Sequence, residues 1–349
     1  MKNVNAKPTL TRTLIKGGAF EGHPFRLVDV GARAGYSHQW NHLGKAAEVL
    51  GFEPDREECA RLNAAEHEVR FRCLPIALDS RRRQRPFFIN TMNTAGSGFF
   101  PARSRMGLRF SPGPAAVDPA TYRKSQEAAP PRPIQALLMD TDSFDAVAAE
   151  EEIKSVDFFK IDAEGAELDI LEGAESFLSG NGALGLEVEV SFMPIRQCPL
   201  FYEIYNHLAL RGYLLYDLDA FHYSRGALPT PVAWDHRNHE GKRILGPTIA
   251  GQLGHGDALF FRDLIDERFA PSSDADWRRV LKAACLFDLY GLTDCAVELL
   301  VYYWDGLEGR LGLTLEKVLD AAVPAPHTGR MSHAEYTRLY AETVGRMDV

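Results

Sequence analysis

The chain has few cysteines, no long apolar run and no excess of basic residues, and each absence argues against a class of protein. Its five cysteines are widely spaced along 349 residues and form no Cys-x-x-Cys pair, so they indicate neither a disulfide framework nor a zinc site. No stretch reaches the roughly 18 apolar residues of a membrane span, and the first residues contain no secretory apolar segment. We therefore expect a cytoplasmic protein with no membrane span.

The charge and composition narrow the class further. A net charge of −9 argues against a general nucleic-acid-binding protein, which needs a basic face. With 45% hydrophobic and 25% charged residues, the composition is that of an ordinary globular protein. The length is sufficient for one large domain with additions.

Strand-like and helix-like patterns alternate along much of the chain. The runs FRLVDV (25–30), EVLGFEP (48–54) and EVRFRCLPIAL (68–78) predict three strands, and a helix over 36–48 is expected between the first two. We expect the third strand to end near Asp79. Strand patterns resume at 134–140, 156–162, 183–190, 213–218 and 257–263. Strands separated by helical segments predict a parallel sheet with crossover connections.

Three segments lie outside this alternation. Residues 1–24 form an N-terminal lead-in. Residues 101–133 contain seven prolines and few aliphatic residues, so a long loop is expected, and 91–133 as a whole is predicted to be a lid with hinges at Gly96 and Gly98. In 264–349, apolar residues recur at intervals of three and four, which predicts a helical C-terminal extension. Its apolar stripe must be buried on the preceding domain or against a second copy in a homodimer.

The segment LVDVGARAG (27–35) predicts the kind of cofactor. It lacks the Gly-x-Gly-x-x-Gly spacing of a dinucleotide site, and Asp29 before the glycines would repel an anion but suit a cation such as S-adenosylmethionine. A strand–helix turn that requires positive φ explains the glycines equally well. Glu53, at the end of the second strand, can accept hydrogen bonds from both ribose hydroxyls, and Asp79 fits a group near the adenine amine.

Carboxylates crowd the end of the strand 156–162. Helix capping would explain Asp162, but it does not explain Glu187 and Glu189, which share one face of a neighbouring strand that should be wholly apolar. Ligands of open α/β sheets bind beyond the carboxyl ends of the strands. We therefore predict a catalytic site with Asp162 as base or acceptor-orienting group, Glu189 as its partner and Glu164 beside them. A Mg²⁺ ion on these acids is the less favoured alternative, because no aspartate–asparagine pair has a suitable spacing.

The blocks LVDVGARAG, GFEPD, PIALDS, FFKIDAEGAELDILEGA and LGLEVEVSF, in this order, resemble the FkbM family of S-adenosylmethionine-dependent methyltransferases over roughly residues 25–262. The resemblance implies an α/β class I methyltransferase fold: a Rossmann-like sheet of six parallel strands and a last antiparallel one, with helices on both faces. The methyltransferase domain would then span 25–263 and precede the helical extension 264–349. The implied reaction is O-methylation of a hydroxyl on a sugar, polysaccharide or other secondary metabolite.

The same resemblance implies particular site residues. Asp29, Gly31, Ala32, Gly35 and Glu53, with the adjoining Pro54, would bind the cofactor. Where the family usually has Gly-Ala-Asn, this chain has Arg33, which either pairs with the methionine carboxylate or points to solvent.

We expect the lid to contact the acceptor. Asn93 and Ser97 would supply polar contacts, and Phe99 would cover the pocket. The lid contains six basic residues, which favour an anionic small-molecule or glycan acceptor; a solvated polar loop explains the same charges equally well. They are Arg103, Arg105, Arg109, Arg123, Lys124 and Arg132.

Two other functions stay open at this point. A methyltransferase fold without activity could serve as a binding scaffold, with the C-terminal helices as its partner surface. A nicotinamide-dependent oxidoreductase is the weaker alternative, because the dinucleotide spacing is missing.

Overall fold

Strands rich in aliphatic and aromatic residues organise the part of the chain that the structure describes. This computed structural model describes residues 4–90, 96–101, 109–110, 118–127, 134–194, 197–235, 237, 241, 246–311 and 314–344. In those residues the strands are β1 (Phe25–Val30), β2 (Ala47–Phe52), β3 (Arg70–Leu74), β4 (Ala77–Leu78), β5 (Arg83–Asn90), β6 (Ile134–Asp142), β7 (Phe158–Ile161), β8 (Gly185–Ser191), β9 (Tyr213–Tyr223) and β10 (Gln252–Arg262).

Helices precede, connect and follow these strands. They are α1 (Thr9–Lys16), α2 (Arg56–Ala64), α3 (Pro119–Glu127), α4 (Phe144–Glu150), α5 (Glu167–Glu172), α6 (Glu175–Leu178), α7 (Phe201–Ala209), α8 (Asp274–Leu289), α9 (Thr293–Tyr302), α10 (Trp304–Leu311), α11 (Leu315–Ala322) and α12 (His333–Val344). A 3-10 segment, His38–Ala46, connects β1 to β2.

The main sheet has the strand order β3-β2-β1-β7-β8-β10-β9. Neighbouring strands pair in parallel except β10, which runs antiparallel to both β8 and β9. The sheet therefore has six parallel strands and one antiparallel strand, which confirms the predicted fold class. The chain moves outward from β1 to β3 and then returns to β7 beside β1, so the strand order reverses between β1 and β7.

The structure contains a second, three-stranded sheet, and two predictions about strands need correction. The third strand ends at Leu74 instead of near Asp79, because Pro75 follows and has no N–H for a ladder. The short β4 after it pairs with β6, and β5 completes this small sheet antiparallel to β6. The strand predicted at 134–140 therefore belongs to the small sheet and not to the main one.

One predicted helix and one predicted loop also need correction. The segment 36–48 forms a 3-10 segment with a break at Gly44, whose φ of 53° and ψ of −137° do not fit a helix. Within the predicted loop 101–133, Pro119–Glu127 is helical. Its N-terminus follows Asp118, whose carboxylate accepts hydrogen bonds from two backbone N–H groups of the first turn, and proline suits the first helical position.

Both faces of the main sheet are covered. On one face, Val28, Phe159 and Leu186 pack with the helices α4, α5 and α7. On the other face, Leu27, Phe158 and Phe261 form one core with residues of α1, the 3-10 segment and the C-terminal helices. The predicted lead-in thus contains a helix that shares this core, and the apolar stripe of the C-terminal extension is buried on the sheet. Among the described residues, no helix is long and apolar enough to cross a membrane.

Buried polar contacts attach the C-terminal helices to the sheet. Nζ of Lys282 lies 2.6 Å from Oδ2 of Asp157 and donates a hydrogen bond to the carbonyl of Pro24. Later in the same helix, Asp288 accepts hydrogen bonds from the backbone N–H and the hydroxyl of Thr11. Lys282, Asp157 and Asp288 are all at least nine-tenths buried, so each charge depends on these partners.

We expect Lys282→Ala to lower the free energy of unfolding by about 3–5 kcal/mol, because it leaves the Asp157 carboxylate buried without its cation. Urea unfolding measures this loss. Lys317→Ala, at an exposed position of α11, is the control and should change stability by less than about 0.5 kcal/mol. Equal effects of the two substitutions would contradict the role of Lys282 as an anchor.

Candidate functional site

Charged residues form a row across three strands of the main sheet near the reversal point. Asp29 on β1 is in register with Lys160 on β7, which is in register with Glu187 on β8. Nζ of Lys160 lies 3.7 Å from Oδ1 of Asp29 and 3.3 Å from Oδ2 of Asp162. The side chain of Lys160 is only 19% exposed and that of Asp29 only 1%, so the ammonium lies among carboxylates at low dielectric.

The environment shifts the acidity of these groups in opposite directions. Burial raises the pKa of Asp29 to about 6, although Lys160 and the backbone N–H of Ser37 lower it. Burial alone would lower the pKa of Lys160, but the carboxylates of Asp29, Asp162 and Glu187 outweigh it and raise that pKa. The ammonium is therefore charged throughout the physiological pH range.

A second group of acids lies one step further toward the carboxyl ends of the strands. Burial raises the pKa of Glu189 well above its ordinary value, and the carboxylates of Asp162, Glu164, Glu167 and Asp257 add to the effect. The charges of Asp162 and Glu164, which follow β7, therefore act on Glu189 of β8. Val188 and Val190 face the apolar core on the other side, as the alternation predicts.

The structure tests the alternative that Asp162 caps a helix. The helix α5 begins at Glu167, and its N-cap residue is Ala166, which makes no side-chain hydrogen bond. The carboxylate that accepts backbone hydrogen bonds in the turn before α5 is that of Glu167, whose Oε1 accepts from the N–H groups of Ala163 and Gly165 at 2.9 and 3.0 Å. Burial raises the pKa of Glu167 to about 7. Helix capping therefore does not account for Asp162.

The glycine loop after β1 is held by its own backbone hydrogen bonds. The N–H groups of Gly31 and Ala32 donate to the carbonyl of Phe52, and the N–H of Gly35 donates to the carbonyl of Ala32. The N–H of Ala34 donates to Glu58. These four donors are used within the protein, so the loop does not present them as a phosphate cradle.

Gly31 is needed for close packing of the chain. A Cβ at this position would lie 1.9 Å from the carbonyl oxygen of Asp162, and its φ is +83°. Gly35, with φ +118°, has open space around it, so only its backbone conformation requires glycine. The glycines therefore bring the end of β1 against the end of β7, where the two aspartates meet Lys160.

Glu53 follows β2 and is 4% exposed. Its Oε1 accepts a hydrogen bond from the N–H of Asp55, and burial raises its pKa. Arg33 lies nearby, with Nη1 3.9 Å from Glu53 and 3.5 Å from Asp55, so it pairs with acids of this loop and does not point freely to solvent. Pro54, between these acids, is half-buried, and Ala32 is fully buried.

Asp79 lies in the small sheet, fully buried. Arg83 donates two hydrogen bonds to it at 2.7 and 2.8 Å, and Arg85 lies 3.2 Å away. Burial acts to raise the pKa of Asp79, but these guanidinium groups outweigh it and lower that pKa. A carboxylate with this set of partners stabilises the small sheet, and an adenine contact remains a prediction.

The predicted acceptor residues fall partly inside the described chain. Asn93, Arg103, Arg105 and Arg132 lie outside the described residues. Ser97 Oγ accepts a hydrogen bond from the N–H of Asn90, and Gly98 pairs with Phe88 in an isolated bridge, while hinges at Gly96 and Gly98 stay a prediction. Phe99 packs edge-on against Phe87. A Cβ on Gly165 would lie 3.2 Å from the ring of Phe100, so that ring covers the turn that carries Glu164.

Three residues of the site were not predicted from the sequence. Nε2 of His255 lies 4.0 Å from Oε1 of Glu189, and its Nδ1 lies 3.3 Å from the hydroxyl of Tyr223. Lys160 was the most accessible signal, because a lysine in the apolar run FFKI is as anomalous as Glu187 in its own strand. No pattern in the sequence connects His255 or Tyr223 to this edge. Within the described residues, no group of three or more possible ligand side chains is arranged to hold a metal ion.

We expect Gly31→Ala to destabilise the fold by about 3 kcal/mol or more, because the methyl group collides with the backbone of Asp162 in addition to the conformational strain. Gly22→Ala is the control, since Gly22 also has positive φ but open space around it; strain alone should cost about 1–2 kcal/mol. Thermal and urea unfolding compare the two. Equal losses would show that the close approach of Asp162 does not limit residue 31.

Comparison with known proteins shows the family to which the chain belongs. No curated protein matches the chain. A TehB-like SAM-dependent methyltransferase from Corynebacterium glutamicum, known from a crystal structure, is similar at 12% identity over 73% of this chain and 88% of its own, with a TM-score of 0.29, a level that supports no further argument. The family model described as the methyltransferase FkbM domain matches residues 29–215, which is 187 of the 349 residues and spans the glycine loop, Glu53 and the acids after β7 and on β8. The chain belongs to the FkbM methyltransferase family.

Proposed function

We propose that the protein transfers the methyl group of S-adenosylmethionine to a hydroxyl of a sugar, polysaccharide or other secondary metabolite. The observation that carries this proposal is the contact of Lys160 with both Asp29 and Asp162 beside the point where the strand order reverses, with Glu189 on the adjoining strand β8. Carboxylates at this edge suit a cofactor with an ammonium and a sulfonium group. Membership of a methyltransferase family supports the same reaction class.

The residues present fit that cofactor. The N–H groups of the glycine loop are used internally, which disfavours a pyrophosphate, whereas Asp29 and Asp162 supply negative charge beside the loop. Glu53 follows β2 and would accept hydrogen bonds from the ribose hydroxyls. When bound, S-adenosylmethionine would supply an electrophilic methyl group. The protein would hold the acceptor oxygen in line with that group, which is its main contribution to the rate.

Glu189 is the residue best suited to take the hydroxyl proton. Its raised pKa brings it toward the range in which a base works near neutral pH. His255 lies beside it and Tyr223 beyond His255, so polar groups continue from Glu189 toward the surface. Asp162 is held by Lys160 at 3.3 Å and would orient the acceptor hydroxyl.

An anionic acceptor fits the charges beside this edge. Arg225 lies over the ring of Phe110 at 4.0 Å, and burial together with the charge of Arg109 lowers its pKa; the carbonyl of Arg109 accepts a hydrogen bond from the N–H of Gly226. Phe110 packs against Tyr223, which adjoins Glu189 through His255. A uronate or phosphate on the acceptor would be attracted there.

The cofactor assignment is tested by Glu53→Ala. We expect its dissociation constant for S-adenosylhomocysteine to rise roughly 10- to 100-fold, because a pair of charge-assisted hydrogen bonds is lost. Titration calorimetry gives the constant. Glu48→Ala, at the exposed start of the same strand, is the matched control and should bind as the unmodified protein does. Unchanged binding by Glu53→Ala would remove Glu53 from the ribose site.

The assignment of the base is tested by Glu189→Gln, once screening with the purified protein has identified an acceptor. Turnover should fall about 10²- to 10⁴-fold, while affinity for S-adenosylhomocysteine changes little. Glu189 accepts a proton only when it is ionised, so kcat/KM of the unmodified protein should rise as the pH passes upward through its raised pKa. A pH profile without that rise, or normal turnover in Glu189→Gln, would assign the proton to another group. Retained cofactor with no turnover on any acceptor would favour the binding scaffold.

A further inference from the structure

Tyr290 lies at the C-terminal end of α8, in the part of the chain beyond the matched family domain 29–215. Its side chain is 1% exposed, and its ring stacks on Phe158 of β7 at 5.0 Å between centroids. The hydroxyl reaches past the core and donates a hydrogen bond of 2.8 Å to Oε2 of Glu187. The C-terminal helices therefore contribute a polar contact to the charged row of the main sheet.

Glu187 transmits this contact to the candidate cofactor site. It lies in register with Lys160, and Lys160 lies in register with Asp29. The charge of Glu187 acts on Lys160, which in turn contacts Asp29 and Asp162 at the proposed ligand-binding edge. Tyr290 thus acts on Asp29 and Asp162 through Glu187, which it contacts, and through Lys160, whose pKa the charge of Glu187 raises.

Opposing influences act on the ionisation of Glu187. Burial raises the pKa of Glu187 to about 7, while Lys160 and the Tyr290 hydroxyl lower it and Asp257 on β10 raises it. Gln39 of the 3-10 segment lies 3.4 Å from the same oxygen that Tyr290 contacts. A hydrogen bond to an ionised carboxylate favours the ionised form, so removal of the hydroxyl shifts Glu187 toward its neutral form near pH 7.

We propose that the C-terminal helices complete the cofactor site, with Tyr290 as a positioning residue that keeps Glu187 ionised, so that Glu187 draws part of the Lys160 charge away from Asp29 and Asp162. This inference rests on the proposed function. When Glu187 is neutral, the attraction of Lys160 is shared by two carboxylates instead of three, so Asp29 and Asp162 are neutralised more strongly. They then attract a cationic ligand less.

The test is Tyr290→Phe, which keeps the ring on Phe158 and removes only the hydroxyl. The probe is S-adenosylmethionine, titrated calorimetrically from pH 6 to 9. Below its pKa Glu187 is protonated and the affinity falls, and Tyr290→Phe raises that pKa. We expect the fall to begin at least about half a pH unit higher in the variant, and the affinity at pH 7.5 to be at least about threefold weaker. Tyr303→Phe is the matched control, because the Tyr303 hydroxyl donates to the carbonyl of Leu264 within the extension.

A double-variant cycle separates this role from general packing. In Glu187→Gln the side chain is neutral at every pH, so adding Tyr290→Phe should have no further effect on affinity or on its pH dependence. Additive effects, or a pH-independent loss that Tyr303→Phe also shows, would overturn the inference. An unchanged pH profile in Tyr290→Phe would do the same. If the unmodified protein does not bind S-adenosylmethionine at all, the proposed function fails instead, whatever the variants do.

Discussion

The contact of Lys160 with Asp29 and Asp162 is the interaction on which the site depends. Without the ammonium, the buried carboxylates of Asp29 and Glu187 would lose the cation beside them, and unpaired buried charges cost several kcal/mol. The contact exists only when β1, β7 and β8 are adjacent and in their observed register. A shift of one residue would turn Lys160 into the apolar core on the opposite face. The charged row therefore forms only when β1, β7 and β8 pair in this register.

The same requirement explains why the C-terminal helices belong to the sheet. The face that carries the charged row continues into the core formed by Leu27, Phe158 and Phe261. Covering that face excludes water from one side of the row, which strengthens each electrostatic interaction within it. Lys282 attaches the cover beside the start of β1, and Tyr290 attaches it beside the charged row. Removing the extension would expose apolar surface and open the row to solvent together.

The sequence predicts local features and features with a strong motif. The blocks shared with the FkbM family predict a main sheet of six parallel strands and one antiparallel strand, and alternation along β8 predicts the face of Glu187 and Glu189. The small sheet was not predicted, because β4 has two residues and its partner β6 begins more than fifty residues later. The roles of Lys160 and Tyr290 depend on the register of three strands and on a contact across 103 residues. No local pattern contains that information, and the same holds for His255 beside Glu189.

Asp162 and Glu189 have different surroundings. Asp162 is partly exposed and lies beside the Lys160 ammonium, whereas Glu189 is surrounded by other carboxylates and has its pKa raised. In the proposed reaction, Asp162 would orient the acceptor and Glu189 would exchange the proton. Lys160 contributes to the difference between the two acids, because its ammonium lies 3.3 Å from Asp162. Gly31 thus permits the close packing of the glycine loop against the end of β7, and Lys160 on β7 supplies the positive charge that the two aspartates share there.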